Sequence, residues 1–335
     1  MKSAIVYDEN YSLLDYGAGH PMRGDRYGKA MEVFEKLGLL QYAAVIPARL
    51  AEFGELALFH DADYIAQVKQ MSDAGFGALS PDTPVFHKIY EAFSYSAGGT
   101  LTAIDAVASK EYEAAFNLSG GWHHAKKRQG RGFCVFNDIA VGVNYLKQKG
   151  YKRIMIIDYD AHHGDGTQEA FYSDKNVFTI SIHQDPATNY PYVTGYVSEN
   201  NEANLNIPLP AGTGDSAFIS LFEKYVVPAV KTFAPEFVLV QMGVDGLCTA
   251  IVASLALSYA SYAFASQRLG ELAEKQNFGI VFLGGGGFVH PYLGYGWGAQ
   301  IAEIVGKKAE ITEFPGFTQC VKYKNQHAEF AEQEF

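Results

Sequence analysis

IIDYDAHHGDG, residues 156 to 166, begins as an apolar run and ends in a crowd of ionisable groups. Asp158, Asp160, His162, His163 and Asp165 fall within eight residues. A lone Asp or His in such a place usually caps a helix or ties down a loop. Three carboxylates and two imidazoles together call for a different explanation. Along an extended strand end, alternate residues share a face, so Asp158, Asp160 and His162 are expected to point the same way. A carboxylate oxygen beside an imidazole nitrogen suits zinc or a similar first-row cation, whereas calcium prefers an all-oxygen shell. Two ligands make a weak site. Asp245, at the end of another apolar run, supplies a third and leaves one position open for water, as in catalytic rather than structural sites.

Working outward, apolar runs of strand length recur at 4–8, 114–121, 153–160, 177–184, 237–246 and 279–287. Stretches with helical period lie around 27–40, 61–71, 88–109, 137–149, 215–233 and 254–275. Strands fed by intervening helices predict one α/β domain with a parallel sheet covered on both faces. No low-complexity linker or internal repeat divides the chain. The polar residues cluster after the strands: Gly120 to His124, Asp158 to Asp165, Asp245, and Gly284 to Gly287. Open parallel sheets bind ligands beyond their carboxyl ends, so these four strand ends predict one shared site.

Bulk properties exclude several classes. Of 335 residues, 48% are apolar and 19% charged, enough for a sizeable core. A net charge of −11 argues against a general nucleic-acid binder. The local run Lys126-Lys127-Arg128, with Arg131 nearby, reads as a solvated loop. The three cysteines, Cys134, Cys248 and Cys320, show no CxxC spacing, so neither a disulfide framework nor a thiolate metal site is expected. With no signal pattern in MKSAIVYDEN and no run long enough to span a bilayer, a soluble protein of the reducing cytoplasm is expected.

The segments GGWHHAKK (120–127), RGFCVFNDIAVG (131–142), IIDYDAHHGDGTQEAFY (156–172), VFTISIHQ (177–184), NIPLPAGTGD (206–215), VQMGVDG (240–246) and LGGGG (283–287) together resemble the histone deacetylase family, including bacterial and archaeal deacetylase-like and acetoin-utilisation proteins. Residues 7–26 and 47–65 also look like that family, and the resemblance covers roughly 5 to 300, leaving 308–335 as a peripheral C-terminal segment. It implies the arginase–deacetylase α/β fold, an eight-stranded, mostly parallel sheet between helices in a single domain spanning 1–335. It also implies zinc, with ferrous iron as the alternative, on Asp160, His162 and Asp245. His123 and His124 would face the reacting water, with Asp158 orienting His123 and Asp165 orienting His124. Gly132 and Phe133 match one wall of a substrate tunnel, Tyr190 the opposing aromatic position, Gly286 the glycine-rich floor and Arg26 the foot of the pocket. A structural potassium ion would lie at Asp158, Asp160, His162 and Ser181, and a second near Phe171 and Val177. The implied reaction is hydrolysis of an acetamide, either an acetylated lysine side chain or an acetylated small amine. The spacing shows no loop insertion of the kind that narrows access in acetylpolyamine enzymes, so an open-rimmed monomer without nucleic-acid or membrane partners is expected. An arginase-type hydrolase shares the architecture but needs two metals, and the HHAKK and GGGG segments count against it.

The pattern breaks at two places. After the glycines the family's active deacetylases usually carry a tyrosine, but this chain has Phe288. A phenyl ring donates no hydrogen bond, and loss of one oxyanion donor typically costs about 10²–10³-fold in turnover. Three readings fit: a deliberate Tyr-to-Phe substitution, a slow deacetylase or one for a more electrophilic acyl group, or a catalytically weak acyl-ligand binding or regulatory protein that keeps the metal site. His290 and Tyr292, close by in sequence, read as loop residues. The second break is LCTAIVASLALS (247–258), which lacks the acidic and glycine residues often seen after the third ligand and bears on loop conformation and substrate preference.

Overall fold

Strands rich in Ile, Val, Leu and Phe, with no polar alternation, are stable only where helices cover both faces of a sheet. That is the arrangement in the computed structural model, which describes residues 1–335. The strands are β1 (Ser3–Val6), β2 (Ala43–Ile46), β3 (Ala78–Ser80), β4 (Thr83–Pro84), β5 (Ala114–Asn117), β6 (Ile154–Asp158), β7 (Val177–Gln184), β8 (Asn204–Leu209), β9 (Phe237–Gln241) and β10 (Gly279–Leu283). Eight of them form one sheet in the order β2-β1-β5-β10-β9-β6-β7-β8, parallel at every pairing, while β3 and β4 make a separate hairpin. All residues of β1, β5, β6 and β9 are buried.

The helices are α1 (Arg26–Lys36), α2 (Phe53–Leu56), α3 (Ala62–Ala74), α4 (Ile89–Ala108), α5 (Asp138–Gln148), α6 (Asp165–Phe171), α7 (Asp215–Leu221), α8 (Val227–Phe233), α9 (Tyr259–Gln276), α10 (Tyr292–Ile304) and α11 (Phe317–Val321). The helix expected over 215–233 contains a π turn, Phe222–Val226, between α7 and α8. The one expected from 254 starts at Tyr259, because the Ser258 hydroxyl accepts from Ala260 N and caps it there.

Four expectations are corrected. Strands β2 and β8 lie at the two edges of the sheet and were not anticipated. In β2 the apolar run AAVI is only four residues long and only Ala43 of it is buried, so it falls short of a core strand's signature. In β8, Pro208 reads as a strand breaker, yet an edge strand tolerates a missing N–H on its outer side. Helix α10 begins at Tyr292, which is therefore not a loop residue; Gly294, Gly296 and Gly298 give its sequence little helical propensity, and burial sustains it instead. The cysteine reading is overturned outright: Cys248 and Cys320 form a disulfide across a separation of 72 residues, and only Cys134 is free. Sequence spacing alone could not reveal it, because the packing of α11 brings Cys320 to the loop after Asp245.

Trp297 of α10 is fully buried, stacks at 6.5 Å on Tyr27 of α1 and donates its indole N–H to the Gly284 carbonyl at 2.9 Å. It thus joins the helix layer to the end of β10. Trp297→Ala is expected to lower unfolding stability by about 3–5 kcal/mol. In urea denaturation Trp297→Phe should lose distinctly less; equal losses would mean that ring burial is not what matters there.

Candidate active site

The carboxyl ends of β5, β10, β9 and β6, neighbours in the sheet, open onto one cavity of about 240 Å³. After β5 the chain turns sharply to present His123 and His124. The turn is held by Asp138 at the start of α5, whose buried carboxylate accepts from Gly121 N, Trp122 N at 2.8 Å and the Thr100 hydroxyl at 2.6 Å. Next to it Asn137 caps α5 through Ala140 N and donates to the Ala125 carbonyl at 3.1 Å. His60 Nε2 in turn accepts from Asn137 N at 2.9 Å. None of these supports was singled out from the sequence, although Asn137 and Asp138 lie inside a quoted motif.

Strand β6 ends at Asp158, so the pleat does not carry the expected alternation through to His162. Asp158 lies behind His123, accepting from its Nδ1 at 2.7 Å, and Asp165 lies behind His124 in the same way at 2.8 Å. The two imidazole Nε2 atoms are 3.1 Å apart. Burial opposes a charge on His123, yet Asp158 and then Asp160 outweigh it and raise this imidazole to about 9. Burial, reinforced by His123, holds His124 at about 4 despite Asp165. The unequal surroundings thus favour positive charge on His123 over His124.

Asp160, His162 and Asp245 come together beside the imidazoles, with one ligand-type atom from each within 4.8 Å of the others. Asp160 Oδ2 accepts from Gln241 Nε2 at 2.7 Å and from Gly286 N at 2.8 Å. His162 Nδ1 lies 3.1 Å from Asp160 Oδ1 and 2.8 Å from Asp245 Oδ2, but no donor is aligned with that Asp245 oxygen, which is buried. Burial and then the Asp160 charge push the Asp245 carboxyl up, although the neighbouring His162 works against this. An orphaned buried oxygen, a second carboxylate and an imidazole nitrogen make a donor set that fits a first-row metal ion. Gly286 is required here: a Cβ would stand 2.3 Å from Asp245 Oδ2 and 2.7 Å from Asp160 Oδ2.

Gly132, Phe133, Tyr190, Gly286 and Phe288 all line the cavity. Phe133, in the left-handed region at φ 66°, meets His20 at 4.5 Å and Phe288 at 6.2 Å, while Tyr190 packs edge-on against His124 at 4.9 Å. Arg26 is fully buried behind the floor, donating to the Gly285 carbonyl at 2.7 Å with Phe288 at 5.7 Å and Trp297 at 5.0 Å. His290 stays at the periphery, 3.9 Å from Asp25. Ser181 and His183 are hydrogen-bonded at 2.8 Å on β7, and Phe171 and Val177 bracket the α6–β7 turn. The sequence reading missed the cavity residues Asp82, Asn189, Tyr192, Gln241 and Val252. Asp82 accepts from Gly132 N at 3.0 Å, and its turn, SPDT, was the one available signal. Lys127 and Arg128 are exposed as expected and pair with Asp61, but Arg131, expected in the same solvated loop, is turned inward onto the buried Asp165 carboxylate at 2.9 Å.

A parallel sheet with a carboxylate–imidazole triad at its carboxyl end defines an α/β protein with a candidate metal site. The sequence model of the histone deacetylase domain matches residues 20–304, and the chain belongs to that family. A probable deacetylase from Archaeoglobus fulgidus is 34% identical over 315 residues, which cover 91% of this chain and 87% of the relative. The acetoin utilization protein AcuC of Bacillus subtilis is 35% identical over 257 residues, covering 72% of this chain and 66% of AcuC. Among solved structures, an HDAC homologue complexed with SAHA superposes with a TM-score of 0.83 at 30% identity, covering 99% of this chain and 94% of its own. The HDAC homologue from Aquifex aeolicus gives 0.82, also at 30% identity, with the same coverage. The arginase–deacetylase fold expected from the sequence is the fold observed.

His60 provides a pH test of the loop that carries the imidazole pair. Burial pushes it down to about 4, so it stays neutral in the fold but protonates near 6.5 once unfolded. Its contribution is complete above pH 6.5 and is lost as pH falls toward 4, by about 3 kcal/mol at most. Urea midpoints measured from pH 7 to pH 5 should fall more steeply for the unmodified protein than for His60→Gln. Parallel slopes would refute this.

Proposed function

We propose that this protein is a metal-dependent deacetylase that hydrolyses the acetamide of an acetylated lysine side chain or a related acetylated amine. The observation that carries the reading is the meeting of Asp160, His162 and Asp245 beside two imidazoles, each backed by a carboxylate, on the floor of an aromatic-lined cavity. Asp160, His162 and Asp245 would hold zinc, or ferrous iron, which when bound polarises an acyl carbonyl and acidifies a water molecule.

The remaining chemistry belongs to the chain. His124, neutral at physiological pH, is the base: its Nε2 takes a proton from the water, and Asp165 holds the tautomer that leaves Nε2 free. His123, kept protonated by Asp158, supplies positive charge beside the reacting carbonyl. The proton gathered at the pair is then delivered to the departing amine nitrogen. Phe133 and Tyr190 flank the aliphatic stem and exclude water, and Arg26 places a fixed positive charge behind the foot, where the acetate forms. Potassium at Asp158, Asp160, His162 and Ser181, and near Phe171 and Val177, belongs to the same proposal, as do a monomeric state and a cytoplasmic location. The Cys248–Cys320 bridge weighs against a permanently reducing setting.

Phe288 favours a second reading, an acyl-ligand binding or regulatory protein that retains the metal site. Its ring lines the cavity but offers no donor to a developing oxyanion. Zinc-loaded protein, tested on an acetyl-lysine peptide and its trifluoroacetyl analogue, separates the two. The deacetylase reading expects slow turnover, faster on the trifluoroacetyl amide, and a gain of about 10²–10³-fold in kcat for Phe288→Tyr with little change in KM. Stoichiometric zinc with no turnover by either form would leave the binder, and failure to take up zinc would remove both.

A further inference from the structure

The loop that follows Asp245 carries more than cavity wall. Its neck is closed by Leu257 N donating to the Gly246 carbonyl at 3.1 Å and Cys248 N to the Leu257 carbonyl at 3.0 Å. Beyond the neck, Val252 reaches back to the site, where its carbonyl accepts from His162 Nε2 at 3.2 Å. That contact holds the ring with Nε2 toward the loop and Nδ1 toward Asp160 and Asp245. Val252 also lines the cavity.

The tip has little else to hold it. Between Thr249 and Ala253 the only backbone bond is Ala250 N to the Leu247 carbonyl, at 2.8 Å, and Ile251 is 65% exposed. On its carboxyl side the stretch is tied down at Ser254, whose N–H donates to Gln184 Oε1 at 2.7 Å and whose carbonyl accepts from Gly212 N at 2.6 Å; on its amino side the anchor is the covalent bond from Cys248 to the buried Cys320 of α11. The segment before α11 is itself docked on the main body, with Tyr259 donating to the Pro315 carbonyl at 2.7 Å and Phe314 against Tyr295 at 4.8 Å.

We infer that the Cys248–Cys320 bridge is a positioning element for His162: it clamps the loop so that the Val252 carbonyl fixes the imidazole in its ligating orientation, and reduction loosens that hold. The inference rests on the metal-site reading above. A cellular dithiol would deliver the two electrons by exchange, closing to its own disulfide and leaving two thiols on the chain. A phosphine does the same in vitro, becoming a phosphine oxide with oxygen from water while the two protons pass to the sulfurs.

The test compares zinc affinity, by competition with a chromophoric chelator, and the visible spectrum of the cobalt(II) form. Full-length protein is measured oxidised, phosphine-reduced and reoxidised, alongside a Cys248→Ser/Cys320→Ser variant. Far-UV circular dichroism monitors the fold. Reduction is expected to weaken zinc binding about tenfold or more and to alter the cobalt spectrum, with recovery on reoxidation. The double variant, which has no thiol at either position to serve as a ligand, should match the reduced protein. Unchanged affinity and spectrum after reduction would overturn the inference and leave the metal site standing. Loss of helical signal on reduction would also overturn it, making the bridge a staple of the whole fold. If the oxidised protein takes up no metal, the proposed function itself fails.

Discussion

The site depends on keeping two carboxylates buried side by side. Asp160 and Asp245 are each about 1% exposed, and neither can be charged there without help. Gln241 and the Gly286 amide neutralise one edge of Asp160, the Ala161 amide donates to Asp245 Oδ1 at 2.9 Å, and His162 stands between their facing oxygens. Three of the four strand ends around the cavity supply this arrangement. The four-glycine run after β10 brings its amides within reach, the turn after β9 delivers Asp245, and the segment after β6 brings Asp160 and His162.

The imidazole pair solves a related problem. Two buried histidines in contact cannot both be charged, and unequal surroundings decide which one is. His123 has Asp158 behind it and Asp160 nearby; His124 has Asp165 but faces His123 itself. Arg131 further loads the second dyad, its Nη1 lying 2.9 Å from Asp165 Oδ2 while its Nε donates to the Tyr190 hydroxyl at 2.9 Å. This competing charge draws on the same carboxylate that orients His124 and couples the dyad to the cavity wall.

Much of this was legible in the sequence, for a physical reason: chemistry-bearing residues sat at the ends of apolar runs, and a parallel sheet gathers such ends. Asp160, His162 and Asp245 meet as expected, and His123 and His124 stand before Asp158 and Asp165. What escaped notice depends on tertiary packing. Edge strand β2 is a four-residue run with one buried residue, and β8, though mostly buried, interleaves Asn204, Asn206 and Pro208 with its apolar positions. Gln241, Asp138 and His60 act through contacts with segments far away in the chain, and the Cys248–Cys320 bond joins two residues that spacing gives no reason to pair.

Helix α10 owes its place to side chains it does not have. Seen from Gly296, the nearest neighbour is Val244, whose atoms would lie 3.0–3.2 Å from an added Cβ. Val244 directly precedes Asp245 and donates its amide to the Gly286 carbonyl at 2.9 Å. A single methyl group placed on this outer layer would thus press on the Val244 side chain, one residue before a candidate ligand. Sensitivity to substitution in this fold should follow mechanical proximity to the triad, reaching a helix that never touches a ligand.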